Sequence, residues 1–118
     1  MRNLLILATA FLSGLPELGS TQATCERKTS IETTECEYAR WQLADAELNQ
    51  LWGDLKPRAD ARGTGSALLA EQRQWLKRRD SRCEQELGHG GSLDGAIYYG
   101  CMWRLTLQRN AEFRAELR

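Results

Sequence analysis

The sequence predicts a small all-α protein, in which three helices form an antiparallel bundle cross-linked by two disulfides, with a short extra turn allowed near Cys25. Three observations support this fold class. Apolar residues recur at steps of three and four in three stretches, which is the helical period. No stretch alternates polar and apolar residues as a half-buried strand would. Four cysteines follow an apolar amino-terminal run in a chain of 118 residues.

The amino-terminal residues have the organisation of a secretory signal peptide. Arg2 supplies a positive charge, residues 4–15 form a near-continuous apolar run, and Pro16 precedes a polar stretch. The run is shorter than the ~20 residues that cross a bilayer, so we expect no transmembrane span. We expect cleavage after Ala23, which leaves residues 24–118 as one periplasmic or secreted domain.

A lipoprotein signal, with Cys25 as the acylated residue, is the alternative for this segment. Thr24 is bulkier than the Gly, Ala or Ser that usually precedes a lipidated cysteine, and Gln22 is a poor apolar match. The sequence therefore disfavours lipidation.

Charge and cysteine spacing exclude several classes of site. Without Arg2 and Glu17 the mature chain has 15 basic and 15 acidic residues, whereas a general nucleic-acid binder is usually strongly basic. A zinc site is disfavoured because no Cys-x-x-Cys pair occurs and the single histidine, His89, lies in a glycine run. Export to an oxidising compartment favours disulfides instead, and we expect no metal or cofactor.

The first helix is predicted to start at Thr33 or Thr34, either of which can cap it, with Glu37 completing a capping box from Thr34. Pro57 is predicted to end it. Its inward positions are expected to be Trp41, Ala44, Leu48, Leu51/Trp52 and Leu55.

The second and third helices follow two breaks in the pattern. Residues 56–66 are rich in glycine and charge, and Ser66 can cap a second helix. The glycine run 88–91 is the second break, and Ser92 can cap a third helix. The expected inward positions are Leu69, Gln72, Trp75/Leu76, Arg79, Cys83 and Leu87 in the second helix, and Ile97, Cys101, Leu105 and Phe113 in the third.

Four cysteines allow three disulfide connectivities, and helix geometry favours one of them. Helices joined by a short loop lie antiparallel, so Cys83 and Cys101 should face each other across the second hairpin. Cys25 and Cys36 would then tie the amino-terminal segment to the first helix. Each bridge is expected to stabilise the domain by roughly 3 kcal/mol.

Three blocks of the mature chain resemble the LprI family, the small exported domain named for a mycobacterial lysozyme inhibitor. The first runs from Thr34 to Trp52, where the family usually has tyrosine at the last place, and the second from Gln72 to Cys83. The third runs from Gly90 to Arg109. The resemblance implies an exported, disulfide-bonded α-helical domain, and it implies lysozyme inhibition.

Four charged residues at helical positions in these blocks are Asp45, Arg79, Asp80 and Arg109. They could form a polar site on one face. The favoured interpretation is structural: the residues form charge pairs between helices, such as Asp45 with Arg109 or with Arg79. Removing one partner of such a pair, if it is buried, strongly destabilises the fold.

The candidate binding residues are His89, Ser92 and Tyr98, around the glycine loop, together with Trp103. A loop on a rigid hairpin can enter a partner's cleft, although a tight interhelical turn explains the same residues. Trp103 is offset from the face that carries Cys101, and an exposed tryptophan is a frequent recognition hot spot.

No catalytic constellation is evident, so we expect no enzyme. A nucleophilic triad needs a histidine held by a carboxylate and facing a nucleophile, and nothing positions one here. Two functions remain: an inhibitor of a lysozyme-like, peptidoglycan-cleaving hydrolase, or an envelope module that binds another exported protein. Oligomeric state is left open. Many animal lysozymes are strongly basic, so an inhibitor would benefit from an acidic face, which only the glutamate-rich segment near Cys25 and Cys36 offers in this neutral chain.

Overall fold

A computed structural model describes residues 24–25 and 29–118 of the chain, and over these residues it is an all-α, three-helix bundle, as predicted. The helices are α1 (Ser30–Ala61), α2 (Gly65–Glu84) and α3 (Asp94–Leu117). The described residues contain no strand. The predicted signal peptide, residues 1–23, lies outside the described residues. So do residues 26–28, where the extra turn near Cys25 was considered.

Helices α1 and α3 run parallel to each other, and α2 runs antiparallel to both. Asn110 donates a hydrogen bond to the carbonyl of Ala44 (2.9 Å), and further along both helices Arg58 donates to the carbonyl of Leu117 (3.1 Å). The closest helix contact is between α1 and α3. It uses small residues: a Cβ placed on Gly95 would come within 3.1 Å of the Thr34 methyl group.

The core consists of two clusters along the bundle. Leu48, Leu55 and Phe113 form one cluster, against which Trp52 and Trp75 pack. The other contains Cys83, Cys101 and Met102, with Trp41, Tyr98 and Leu105 packed around it.

The favoured disulfide connectivity is confirmed. Cys25 is bonded to Cys36, and Cys83 to Cys101, with Cα separations of 5.6 and 5.5 Å. The second bridge joins the end of α2 to the start of α3, as expected for an antiparallel hairpin.

The predicted start of the first helix was wrong by about one turn. Thr29 is the N-cap: its hydroxyl accepts from the Glu32 amide (3.2 Å), and the Glu32 carboxylate accepts from the Thr29 amide (3.1 Å). The hydroxyls of Thr33 and Thr34 instead donate to carbonyls four residues earlier, inside the helix.

Pro57 does not end α1, which continues to Ala61. Residues on both sides of the proline are buried: Leu55 is 0% exposed and Ala59 is 2% exposed. Their burial in the core offsets the backbone hydrogen bond that proline removes. The break predicted for residues 56–66 is therefore confined to residues 62–64.

The predicted caps of the later helices were also wrong. Thr64 precedes α2 and Leu93 precedes α3, in both cases without a side-chain cap, so neither Ser66 nor Ser92 has that role. Leu87 and Ile97, predicted to point inward, are 46% and 47% exposed. Helix α2 ends before Leu87, and Ala96 rather than Ile97 is buried.

Candidate functional site

The candidate site is one end of the bundle, which we call the loop end. It comprises residues 29–42 at the start of α1 and residues 81–104, which include the α2–α3 loop and the first turns of α3. Both disulfides lie in or beside it: Cys25–Cys36 joins the segment before α1 to α1, and Cys83–Cys101 joins α2 to α3.

Exposed apolar side chains are concentrated at the loop end. Among the described residues six large hydrophobic side chains are exposed, and five of them lie there: Ile31, Tyr38, Leu87, Leu93 and Ile97. The sixth, Leu43, lies further along α1 and is 75% exposed. Single exposed apolar residues are common on any protein, but their concentration on one end is typical of an interaction surface.

A cluster of aromatic rings packs together at the loop end. Tyr38 packs edge-on against Tyr99, with ring centroids 4.9 Å apart, and Trp41 stacks on the same ring at 5.8 Å. Tyr98 meets Tyr99 at 5.0 Å. Burial, and secondarily the Asp80 carboxylate, raise the pKa of Tyr98, so it remains an uncharged phenol at neutral pH.

The α2–α3 loop is held by its own hydrogen bonds. The Asp94 carboxylate accepts from the backbone amides of His89 (2.9 Å) and Gly90 (3.0 Å). The His89 ring Nε2 lies 2.9 Å from the carbonyl oxygen of Gln85. Gly88 and Gly90 have φ values of +88° and +75°, a conformation that favours glycine. These contacts give an exposed loop a defined shape.

Charge is unevenly distributed along the bundle. The loop end contains six acidic and three basic residues, whereas the remaining described residues, 43–80 and 105–118, contain eight acidic and ten basic ones. Residues 26–28, which lie outside the described residues, contain one acidic and two basic residues, so counting them with the loop end leaves the total net negative. The acidic residues there are Glu32, Glu35, Glu37, Glu84, Glu86 and Asp94.

The predicted binding residues all lie at the loop end, but they are not equally accessible. His89 and Ser92 are exposed in the α2–α3 loop, and Tyr98 is partly buried on α3. Trp103 is also partly buried, because the guanidinium carbon of Arg40 lies 3.5 Å from its ring centroid. This cation–π contact covers one face of the Trp103 ring, so that face is not free to contact a partner.

The predicted charge pairs lie in the middle of the bundle, between α2 and its neighbours. Arg79 is buried; its Nη1 lies 3.7 Å from Asp45 Oδ1 and donates to the Thr106 hydroxyl at 3.2 Å. Its Nε donates to Asp80 at 3.0 Å. Of the two partners considered for Asp45, the structure places Arg79 beside it.

Arg109 has other partners. Its Nε donates to the Gln72 side-chain oxygen at 2.9 Å, and its Nη1 donates to Glu112 at 2.7 Å. It also forms an ion pair with Glu71. Its guanidinium carbon lies 4.7 Å from the centroid of Phe113, so the group is fixed by both charge and packing.

The exposure of Leu87, Leu93 and Ile97 was missed by the sequence reasoning. The signal that could have indicated it is their position on both sides of a glycine-rich break, where helical periodicity no longer predicts burial. Within the part of the chain that the structure describes, no three His, Cys, Asp or Glu side chains are placed to hold a metal ion. None of the helices described is both long and apolar enough to cross a membrane.

The fold and this surface define a small, disulfide-bonded, all-α domain whose exposed apolar residues are concentrated at one end. The sequence matches the family described as lysozyme inhibitor LprI over residues 21–113, and the chain belongs to that family. An uncharacterised protein of Rhizobium meliloti (strain 1021) is 30% identical over 107 residues, covering 76% of each protein. No solved structure matches the chain.

Proposed function

We propose that this domain inhibits a peptidoglycan-cleaving enzyme by placing its loop end over the enzyme's cleft. The observation that carries the proposal is the coincidence, in a chain of the LprI family, of exposed apolar residues, net negative charge and two disulfides at one end of the bundle. The inhibitor acts by occlusion and needs no catalytic group of its own.

Electrostatics favour a basic partner. The chain has no net charge, so the excess of acidic residues at the loop end is balanced elsewhere on the bundle. Such a charge asymmetry orients the domain as it approaches a basic hydrolase, with the loop end leading, and it increases the association rate more than the final affinity. Added salt should therefore slow association.

Rigidity favours binding by the α2–α3 loop. A loop that is already ordered loses little conformational entropy when it binds. The Asp94 carboxylate holds two loop amides, and the Cys83–Cys101 bridge closes the hairpin behind the loop. Leu93, directly before α3, and Ile97, on its first turn, then provide exposed apolar contact area.

The test is a turbidity assay of lysozyme on bacterial cell walls, with the purified, oxidised domain 24–118 added at increasing concentration. Ile97→Asp should raise the half-inhibitory concentration by about tenfold, the effect expected at a buried interface position. Leu43→Asp is the matched control, because Leu43 is more exposed than Ile97 but lies outside the loop end. It should change the half-inhibitory concentration less than about twofold.

Two results would contradict the proposal. One is no inhibition of any peptidoglycan hydrolase by the parent domain at a tenfold molar excess, which would favour an envelope module that binds another exported protein. The other is an equal loss of inhibition in the Ile97 and Leu43 variants, which would place the inhibitory surface elsewhere.

A further inference from the structure

A groove lies between α1 and α2, away from the loop end. Its volume is about 280 Å³, and each helix contributes four lining residues: Asp45, Leu48, Asn49 and Trp52 from α1, and Leu69, Gln72, Arg73 and Leu76 from α2. On both helices the spacing is i, i+3, i+4, i+7, which places the four side chains on one face. The antiparallel packing of the helices brings the two faces together.

The groove has an apolar base and polar groups. Leu48, Trp52, Leu69 and Leu76 provide the apolar surface. The ring centroid of Trp52 lies 6.1 Å from that of Phe113, which supports the indole from the core side while it remains partly exposed. A concave apolar surface with a few polar groups is typical of a small-molecule site.

Gln72 is the polar group that most clearly points to a ligand. Its side chain is buried, with 6% of the residue exposed, and its Oε1 accepts a hydrogen bond from Arg109 on α3. That bond fixes the carboxamide, and its Nε2 has no acceptor among the described residues and remains accessible to solvent. An accessible donor whose orientation is already fixed can bind a hydrogen-bond acceptor of a ligand in the groove.

Three further polar side chains surround the opening. Asn49 and Arg73 are exposed and have no hydrogen-bond or ion-pair partner among residues 24–25 and 29–118. Asp45 Oδ1 lies 3.7 Å from Arg79 Nη1, and the Asp45 carboxylate, which lines the groove, can accept further hydrogen bonds. The groove therefore offers a carboxamide on each helix, one guanidinium and one carboxylate.

We propose that this groove binds one ring of an N-acetylated amino sugar. The C–H face of a pyranose packs on Trp52, its hydroxyl groups pair with Asp45, Asn49 and Arg73, and the acetamido oxygen accepts from Gln72. The acetamido methyl group lies against the leucines. A purely apolar ligand would displace the water that solvates the Gln72 amide without replacing its hydrogen bond, which is why the groove favours a polar ring with an acetamido group.

This site is separate from the loop end and does not depend on the proposed inhibition. The test uses the ¹⁵N-labelled, oxidised domain 24–118, titrated with N-acetylglucosamine and its β-1,4-linked trimer and followed by two-dimensional NMR. Saturable shifts are expected at backbone amides around residues 45–52 and 69–76. The trimer of glucose, which lacks the acetamido group, should bind at least about tenfold more weakly.

Substitutions at exposed positions test the site without destabilising the fold. Asn49→Ala should weaken N-acetylglucosamine binding by about tenfold, and Arg73→Ala by a similar factor, since each removes a hydrogen-bonding group from the site. Gln50→Ala is the matched control for Asn49, because Gln50 is an adjacent exposed amide that does not line the groove. It should bind the sugar like the parent, as should Ile97→Asp.

The proposal is overturned if the sugar causes no saturable shifts around the groove, or if Asn49→Ala and Arg73→Ala both bind like the parent. Equal binding of the glucose trimer would overturn the assignment of the acetamido contact. Each of these results can occur whether or not the domain inhibits a hydrolase.

Discussion

The substitution Arg109→Ala should destabilise the domain without affecting its interaction surface. Arg109 is 7% exposed and lies in the middle of the bundle, away from the loop end. Truncation leaves the Gln72 side-chain oxygen without its donor and removes the guanidinium from the face of Phe113. The hydrogen bond from a charged donor contributes about 1.5–3 kcal/mol, and the aromatic contact contributes about 0.5–1 kcal/mol.

The two ion pairs add less. Glu71 and Glu112 have side chains that are 49% and 51% exposed, so water solvates them when Arg109 is removed. The loss therefore lies below the roughly 3–5 kcal/mol that is typical of a fully buried pair. We expect a decrease of about 2–3 kcal/mol in the free energy of unfolding, which corresponds to about 10–20 °C in Tm for a domain of this size.

The assay is urea and thermal unfolding followed by circular dichroism, with both disulfides intact. Arg78→Ala is the matched control: it removes the same charge, but its side chain is 60% exposed and lies 3.8 Å from Glu71. It should change stability by less than about 0.5 kcal/mol. Arg109→Lys should fall between the two, because lysine keeps the charge but not the planar donor arrangement. The reasoning is refuted if Arg109→Ala is as stable as the parent, or if it abolishes inhibition while Tm is unchanged.

Three further predictions concern stability. Replacing Cys83 and Cys101 by serine should cost roughly 3 kcal/mol in urea unfolding, because the bridge closes a separation of 18 residues; a loss below about 1 kcal/mol would contradict the entropic reasoning. The pKa of Tyr98 is raised from 10.0, so the folded state holds this proton more tightly than the unfolded state does. Its contribution to stability is complete below pH 10 and is lost as the pH rises through the higher folded value. The free energy of unfolding of Tyr98→Phe, measured between about pH 8 and about pH 12, should therefore decline less steeply than that of the parent. Equal declines for the two proteins would contradict this contribution from Tyr98. Pro57→Ala should raise the free energy of unfolding by about 1–2 kcal/mol, because alanine restores a backbone donor within α1; a lower Tm would show that the proline fits its helix without cost.

The helices and the disulfides were predictable because local rules determine them. The apolar positions Ala44, Leu48 and Leu55 repeat with the helical period and are buried, as this period requires. The Cys83–Cys101 bridge follows from two antiparallel helices joined by a short loop. Both predictions use spacing along the chain, which tertiary packing did not change.

The element ends were less predictable because several residues could have the same role. The sequence contains two candidate capping boxes, Thr29 with Glu32 and Thr34 with Glu37, and only the first is formed. Choosing between them depends on how far α1 packs along α3, where Gly95 allows a close approach at Thr34. The continuation through Pro57 likewise depends on burial in the finished bundle.

The local structure of the loop end was predicted in part. The glycine run indicated a turn at His89, and it was not apparent that Asp94 would organise that turn. Leu87 and Ile97 match the inward pattern in sequence, but their exposure depends on where α2 stops and on which face of α3 meets α1. The uneven distribution of charge between the two ends appears only when the three helices are aligned.

The most direct test of the proposed interaction is a map of the residues that contact the hydrolase. The ¹⁵N-labelled, oxidised domain 24–118 would be titrated with an unlabelled lysozyme that it inhibits, and the amide signals would be followed by NMR. Signals from residues 30–38 and 87–98 should shift or broaden first, with those of residues 54–71 and 110–118 unaffected. Perturbation confined to the latter residues would contradict binding through the loop end.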